Sequence, residues 1–257
     1  MSGIEVERAA NGCVTLCLNN QARRNALDTA MIAALRTWFV NLAQDAGCRV
    51  VILSGRGEHF CAGRDLGDFG GAQRSDEDIR ADLAGLKSLI TAMHDFPKPV
   101  LALVHGYALG LGAAIVALSD IAYAADDARF GFPEVKVGMS PTLTTLTLMR
   151  NVTSKRAMAL LFTGAMIDGN EAERIGLISK ALPAAELDAA VSTLSDGIAS
   201  ASPQALAGCK KLVRAIDGLS LTAALDQALD AAYASISDPD AIEGRRAFLA
   251  KRDPKYR

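Results

Sequence analysis

Positive charge is not in excess in this sequence. Its 257 residues contain 27 Lys and Arg against 29 Asp and Glu, a formal net charge of −2. A nucleic-acid surface needs clustered positive charge, so this balance argues against such a partner. Only 22% of the residues are charged and 50% are apolar, which excludes a disordered chain. This length suffices for one large core, and the apolar surplus predicts an interface with other subunits.

Cysteine is scarce and irregularly spaced, with five residues and no CxxC pair. We therefore expect reduced, buried thiols in a cytoplasmic protein, and neither a disulfide framework nor a metal site. The N-terminus contains Glu5, Glu7 and Arg8 and no apolar run, so it predicts neither a signal peptide nor a transit peptide. The three histidines show no pairing with a Ser or Cys nucleophile that would indicate a hydrolase triad.

One uncharged stretch, residues 99–119, is long enough to span a bilayer. Lys98 and Asp120 flank it, and its glycines between 106 and 112 indicate a turn. A buried strand, a turn and a helix explain this stretch better than a membrane span, and we predict no membrane association.

Hydrophobic periodicity predicts strands alternating with helices up to about Asp120, which is typical of an α/β core, and mostly helices beyond it. No linker tract divides the chain. We therefore predict one structural unit, with a core over residues 1–195 and a helical C-terminal region over 196–257. The predicted strands cover 14–19, 50–53, 100–104 and 121–125, and the predicted helices cover 29–45, 75–93, 112–118, 143–150, 155–162, 169–175, 186–200, 203–215, 221–237 and 239–249.

Two segments that follow predicted strands, residues 60–66 and 105–112, are rich in small residues. Glycine and alanine at such turns let a ligand approach the backbone, and the free N–H groups can bind an anion. A helix that begins at Gly112 would add its N-terminal dipole, and two N–H groups directed at one oxygen would form an oxyanion hole. Taken alone, each segment is better explained as a tight turn. Gly110-x-Gly112 is no dinucleotide fingerprint, because Ile115 stands where its third glycine should be.

An ordered set of short motifs covers nearly the whole chain. They are Asn-Ala-Leu at 25–27, Ala-Gly-Arg-Asp-Leu at 62–66, His-Gly-Tyr-Ala-Leu-Gly at 105–110, Phe-Pro-Glu at 132–134 and Glu-Gly-Arg-Arg-Ala-Phe-Leu at 243–249. In this order the motifs resemble the enoyl-CoA hydratase/isomerase family of the crotonase superfamily. The resemblance implies an α/β fold with a crotonase-type ββα spiral core and a helical C-terminal region that forms trimers or dimers of trimers.

The resemblance also implies an enzyme acting on acyl-CoA thioesters, in which two backbone N–H groups, here those of Arg64 and Leu111, bind the thioester oxygen. Leu111 departs from the family's Gly-Gly-Gly run and puts bulk near the acyl pocket. Coenzyme A is part of the substrate, so no separate cofactor is expected. The resemblance places coenzyme A near Ala26, Ala62 and Leu66, and it matches Phe248 and Lys251 to positions that reach coenzyme A, often in a neighbouring subunit. Arg24, or its neighbour Arg23, is a candidate to meet the phosphates with a positive charge. We expect the acyl pocket to be lined by Met139, Thr142, Leu143, Leu111 and the 68–75 loop.

Hydratases of this family carry two glutamates twenty residues apart, and only the second is present here. It is Glu134; the first falls at Ala114, which cannot bind a proton. Hydration needs one group to activate water and another to transfer a proton at the α-carbon. A single carboxylate can move a proton between two carbons, which favours double-bond isomerisation with Glu134 as the catalytic residue.

Several alternatives remain open at this point. Family numbers favour hydration, which Glu134 could perform slowly by serving both roles in turn. A non-catalytic acyl-CoA-binding protein, and another reaction such as decarboxylation or thioester hydrolysis, are also compatible with the resemblance.

Overall fold

The computed structural model describes residues 3–67 and 75–256. Most of the 68–75 loop expected near the acyl pocket, residues 68–74, lies outside the described part. Within that part, no helix is both long and apolar enough to cross a membrane. The 99–119 stretch instead forms two short strands and a helix, which confirms the prediction of a buried strand, turn and helix.

The strands fall into two sheets. In the larger sheet the order is β1-β2-β3-β4-β6-β9, where β1 and β2 are antiparallel and the other neighbours are parallel. The smaller sheet has the order β5-β7-β8. In chain order the strands of the described residues are β1 (Ile4–Arg8), β2 (Cys13–Leu18), β3 (Val50–Gly55), β4 (Val100–Val104), β5 (Tyr107–Leu109), β6 (Ile121–Ala125), β7 (Arg129–Gly131), β8 (Met166–Ile167) and β9 (Lys180–Leu182).

The helix starts follow capping rules. The Asp28 side chain accepts a hydrogen bond from the Met31 N–H, and Ser75 and Asp78 form a reciprocal capping box. The predicted helices are confirmed, with ends shifted by at most two residues. Their bounds are Thr29–Gln44, Asp76–His94, Leu111–Leu118, Thr142–Leu148, Ser154–Thr163, Gly169–Arg174, Ala184–Ser200, Pro203–Ala215, Leu221–Ile236 and Pro239–Leu249.

The core lies around the larger sheet. Strands β2, β3 and β4 are almost wholly buried, as expected of parallel strands covered on both faces. Helix Ala184–Ser200 packs along β2, β3, β4 and β6. The predicted boundary between the core and the C-terminal region, after residue 195, falls inside this helix. The division of the chain at that boundary stays a prediction.

Sequence periodicity missed β1, β5, β7, β8 and β9. The last four have two or three residues each, too few for an alternating pattern to emerge. The predicted turn at 106–112 therefore contains strand β5, a correction that matters for the site.

The expectation of buried thiols is wrong for Cys209, which is exposed on a C-terminal helix, whereas the other four cysteines are buried.

The predicted helical C-terminal region is present and exposes apolar side chains. Its attachment to the core includes Lys210, whose Nζ lies 2.5 Å from Asp120 Oδ2 and 2.8 Å from the Lys98 carbonyl oxygen. The large exposed apolar residues of these helices are Val213, Leu221, Leu225, Leu229, Tyr233, Ile236, Ile242, Phe248 and Leu249.

Candidate active site

The two small-residue segments lie side by side. The Cys61 N–H donates to the Tyr107 carbonyl at 2.8 Å, and the Leu109 N–H donates to the Cys61 carbonyl at 2.9 Å. A Cβ atom on Gly63 would lie 2.8 Å from the Leu109 oxygen and 3.5 Å from the Leu111 nitrogen. The backbone leading to Arg64 therefore adjoins the start of helix Leu111–Leu118, as an oxyanion hole requires.

Glycine makes this close approach possible. A Cβ on Gly112 would lie 2.4 Å from the Cys61 oxygen, and Gly110 has φ 50° and ψ −118°, a conformation that favours glycine. Leu111 opens the helix, so its N–H has no carbonyl acceptor within the helix. Its side chain is buried among the core residues. The departure from a glycine run is therefore compatible with an exposed N–H at this position.

Glu134 lies against the same helix start. It belongs to the short 3₁₀ helix Pro133–Val137 that follows β7. Strand β7 is itself bonded to the turn, because the Gly110 N–H donates to the Gly131 carbonyl at 2.9 Å. Glu134 Oε1 would lie 3.3 Å from a Cβ atom on Gly110. The structure thus places a carboxylate beside the turn that carries the Leu111 N–H.

The two carboxylate oxygens of Glu134 differ. Oε1 accepts a hydrogen bond from Thr144 Oγ1 at 3.2 Å. Oε2 is buried and has no hydrogen-bond partner among residues 3–67 and 75–256. Sequence reasoning missed Thr144, because one threonine among several in 142–147 gives no signal of its contact. One turn into the neighbouring helix, where a second glutamate would stand, is the buried methyl group of Ala114.

Arg64 is fixed by its side chain as well. Its guanidinium lies 2.5 Å from Asp82 Oδ1 in an ion pair whose side chains are 11% and 3% exposed. Thr29 Oγ1 contacts both groups, accepting from Arg64 and donating to Asp82. Sequence reasoning missed Asp82, although an acid in register with Leu86 and Leu89 on a buried helix face was a readable signal.

Cys61 is a buried thiol in the loop before Arg64. Complete burial raises the pKa of its thiol to about 12, so the sulfur stays protonated at neutral pH. Its Sγ accepts the Gly63 N–H at 3.4 Å. The side chain therefore helps to hold the loop before Arg64.

These observations can be compared with known proteins. The sequence model of the family described as enoyl-CoA hydratase/isomerase matches residues 8–257. The chain belongs to this family. The crystal structure titled enoyl-CoA hydratase from Mycobacterium smegmatis has a TM-score of 0.94 at 34% identity, covering 100% of this chain and 99% of that chain. The predicted α/β fold with a crotonase-type core is confirmed.

Relatives in the enoyl-CoA hydratase/isomerase family carry different activities in their names. The peroxisomal Delta(3,5)-Delta(2,4)-dienoyl-CoA isomerase of Arabidopsis thaliana is 31% identical, over 94% of this chain and 91% of its own. The 2,3-dehydroadipyl-CoA hydratase of Escherichia coli is 32% identical, over 94% of both chains. Family membership makes this protein an enzyme of the hydratase/isomerase group without choosing between the two reactions.

Four residues expected to bind coenzyme A lie in or near the loop that carries Arg64. The Ala62 N–H donates to the Arg24 carbonyl at 2.9 Å, Ala26 is buried beside them, and Leu66 is exposed. The Arg24 guanidinium lies 5.7 Å from the centre of the Tyr107 ring. The Arg24 guanidinium therefore lies over the face of the Tyr107 ring, at the edge of the site.

A buried asparagine holds these loops together. Asn25 Nδ2 donates to the Arg56 and His59 carbonyls at 2.9 and 2.6 Å, and its Oδ1 accepts the Asn20 N–H at 2.9 Å. Asn25 also has φ 56°, a left-handed conformation that asparagine tolerates better than most residues. The Asn of the Asn-Ala-Leu motif thus has a structural role that the sequence alone did not reveal.

The remaining predicted site residues divide into two groups. The Met139 N–H donates to the Glu134 carbonyl at 3.0 Å. Leu143 packs against the core and directly precedes Thr144, the residue that contacts Glu134. Phe248 is 84% exposed, and Lys251 is also exposed, both at the end of the last helix. Within one chain, the described contacts do not bring this second group to the Glu134 site.

Proposed function

We propose that this enzyme moves a carbon–carbon double bond in an enoyl-CoA thioester, with Glu134 as its single proton-transfer group. The observation that carries this proposal is the buried Glu134 carboxylate, whose Oε1 would lie 3.3 Å from a Cβ atom on Gly110 and whose Oε2 has no partner among the described residues. Ala114 supplies no second carboxylate. One base and one enolate-binding site are what a 1,3-proton transfer needs.

The proposed reaction begins with a 3-enoyl-CoA whose thioester oxygen accepts the Arg64 and Leu111 N–H groups. Glu134 Oε2 takes a proton from C2, the C–H electron pair forms a dienolate, and the same oxygen returns the proton to C4. The product is the conjugated 2-enoyl-CoA, and no water or oxidant is consumed. Each backbone donor to such an oxyanion typically contributes 10²–10³-fold in rate, and the helix dipole acts in the same direction.

We propose that coenzyme A lies along the loops formed by Arg24, Ala26, Ala62 and Leu66. Phe248 and Lys251 would contribute from a neighbouring subunit, since they are exposed at the far end of their own chain. Met139 and Leu143 would line the acyl pocket. No other cofactor or metal is expected in the reaction.

Hydration is the second candidate, because the similar Mycobacterium smegmatis structure and the Escherichia coli relative are both named as hydratases. Here Glu134 would have to activate water and then donate the α-proton in succession. The two candidates give different products from different substrates, which makes them separable.

A substrate panel without added cofactor or metal tests the proposal. We expect 3-enoyl-CoA esters to gain the ultraviolet absorbance of a conjugated thioester, and 2-enoyl-CoA esters to form little 3-hydroxyacyl-CoA by mass spectrometry. Faster formation of the hydroxy product than of the isomerised product would reverse the assignment. Tight binding of both substrates with no turnover would identify a binding protein instead.

We also propose a homotrimer or a dimer of trimers formed through the C-terminal helices. Leu225, Leu229 and Tyr233 recur at i, i+4 and i+8 on one helix and are all exposed in the single chain. Burying this face between subunits would remove it from water. We expect the mass in solution to equal three or six chains by light scattering, and a monomer would contradict the proposal. A cytoplasmic location stays a prediction.

A further inference from the structure

The contact between Thr144 and Glu134 distinguishes the two oxygens of the carboxylate. Thr144 lies in helix Thr142–Leu148, is only 6% exposed, and donates its hydroxyl proton to Glu134 Oε1 at 3.2 Å. Its carbonyl accepts the Thr147 hydroxyl of the same helix at 2.9 Å. The donor to Glu134 is thus a buried hydroxyl on a helix.

We infer that Thr144 is a positioning residue that fixes Glu134 Oε1 and thereby presents Oε2 to the substrate. The inference rests on the proposed function. Among the described residues, the Thr144 hydroxyl is the only side-chain donor to Glu134. A carboxylate on a flexible side chain that lacks this bond could rotate and offer either oxygen, or turn away from C2.

Positioning of this kind matters more with one carboxylate than with two. Ala114 cannot share a water molecule or a proton with Glu134, as a glutamate at that position could. The same Glu134 oxygen must therefore reach C2 and then C4, and small errors in its placement reduce both transfers. The Thr144 hydroxyl restricts the orientation of the carboxylate, so we expect its loss to lower mainly turnover.

The decisive variants are Thr144→Val, which keeps the shape and removes the hydroxyl, and Thr144→Ser, which keeps the donor. We expect Thr144→Val to lower kcat for isomerisation roughly 10- to 100-fold, with KM within about threefold of the native value. Thr144→Ser should recover most of the rate. The matched control is Thr145→Val in the same helix, whose hydroxyl donates to the Pro141 carbonyl, and it should keep native kcat.

Three results would overturn the inference. The first is a Thr144→Val variant that is fully folded by circular dichroism and retains native kcat, and the second is a Thr144→Ser variant that loses as much rate as Thr144→Val. A loss confined to KM would assign Thr144 to binding instead. Failure of the proposed function would give a different result, because the native enzyme would then not isomerise 3-enoyl-CoA at all. In that case the inference would fail together with the proposed function.

Discussion

Glu134→Gln is expected to lower the rate of enoyl-CoA isomerisation by about 10²–10⁴-fold, the usual contribution of a general base. Glutamine keeps the size of the side chain and can still accept from Thr144, but its amide cannot take a proton from C2. KM should change little, because in our proposal the thioester is held by backbone N–H groups. The measurement is kcat and KM by the absorbance of the conjugated product.

The matched control for this prediction is Glu186→Gln, which changes an exposed glutamate in the first turn of helix Ala184–Ser200. It should retain native turnover. If the folded Glu134→Gln variant isomerised at the native rate, Glu134 would not be the proton carrier. Another group near the acyl chain would then have to be sought, including among residues 68–74.

Asp82→Ala is expected to destabilise the protein by about 3–5 kcal/mol, the usual cost of removing one partner from a buried ion pair. The variant leaves the Arg64 guanidinium, which is 11% exposed, without its carboxylate. Because Arg64 also carries a proposed oxyanion N–H, we expect turnover to fall with stability. The measurement is the free energy of unfolding from a denaturant titration, followed by kcat on the folded variant.

Two further variants make the ion-pair prediction specific. Lys87→Ala removes an exposed charge from the same helix and should change the free energy of unfolding by less than about 0.5 kcal/mol. Arg64→Met combined with Asp82→Leu removes both charges and should recover much of the loss, because apolar pairs often replace buried ion pairs without cost. An Asp82→Ala variant as stable as the native protein would show that the pair contributes no net stability.

The main elements followed from sequence because local rules control them. Apolar residues at helical spacing and the caps at Asp28 and Ser75 predicted helices Thr29–Gln44 and Asp76–His94 almost to the residue. The short strands β5 and β7 did not follow, since three residues carry no period. Their existence depends on hydrogen bonds to segments distant in sequence, such as the one from Leu109 to Cys61.

The proposed site could be located from the sequence where it consists of motif residues, but not where it depends on their partners. The motifs indicated Arg64, Leu111 and Glu134, and folding brings these three segments together at the Gly110 turn. Thr144, Asp82 and the bonding of Asn25 were not predicted. Each depends on a contact across the fold rather than on neighbours along the chain.

The sequence by itself determined the family, the order of the principal helices and strands, and the presence of alanine rather than an acid at position 114. These properties reside in the identity and spacing of residues. Only the tertiary structure decided that one Glu134 oxygen is bonded to Thr144 while the other has no partner among the described residues, and that a buried Asp82 holds the Arg64 side chain. The physical reason is that burial and hydrogen bonding arise from packing between distant segments, which residue spacing does not encode.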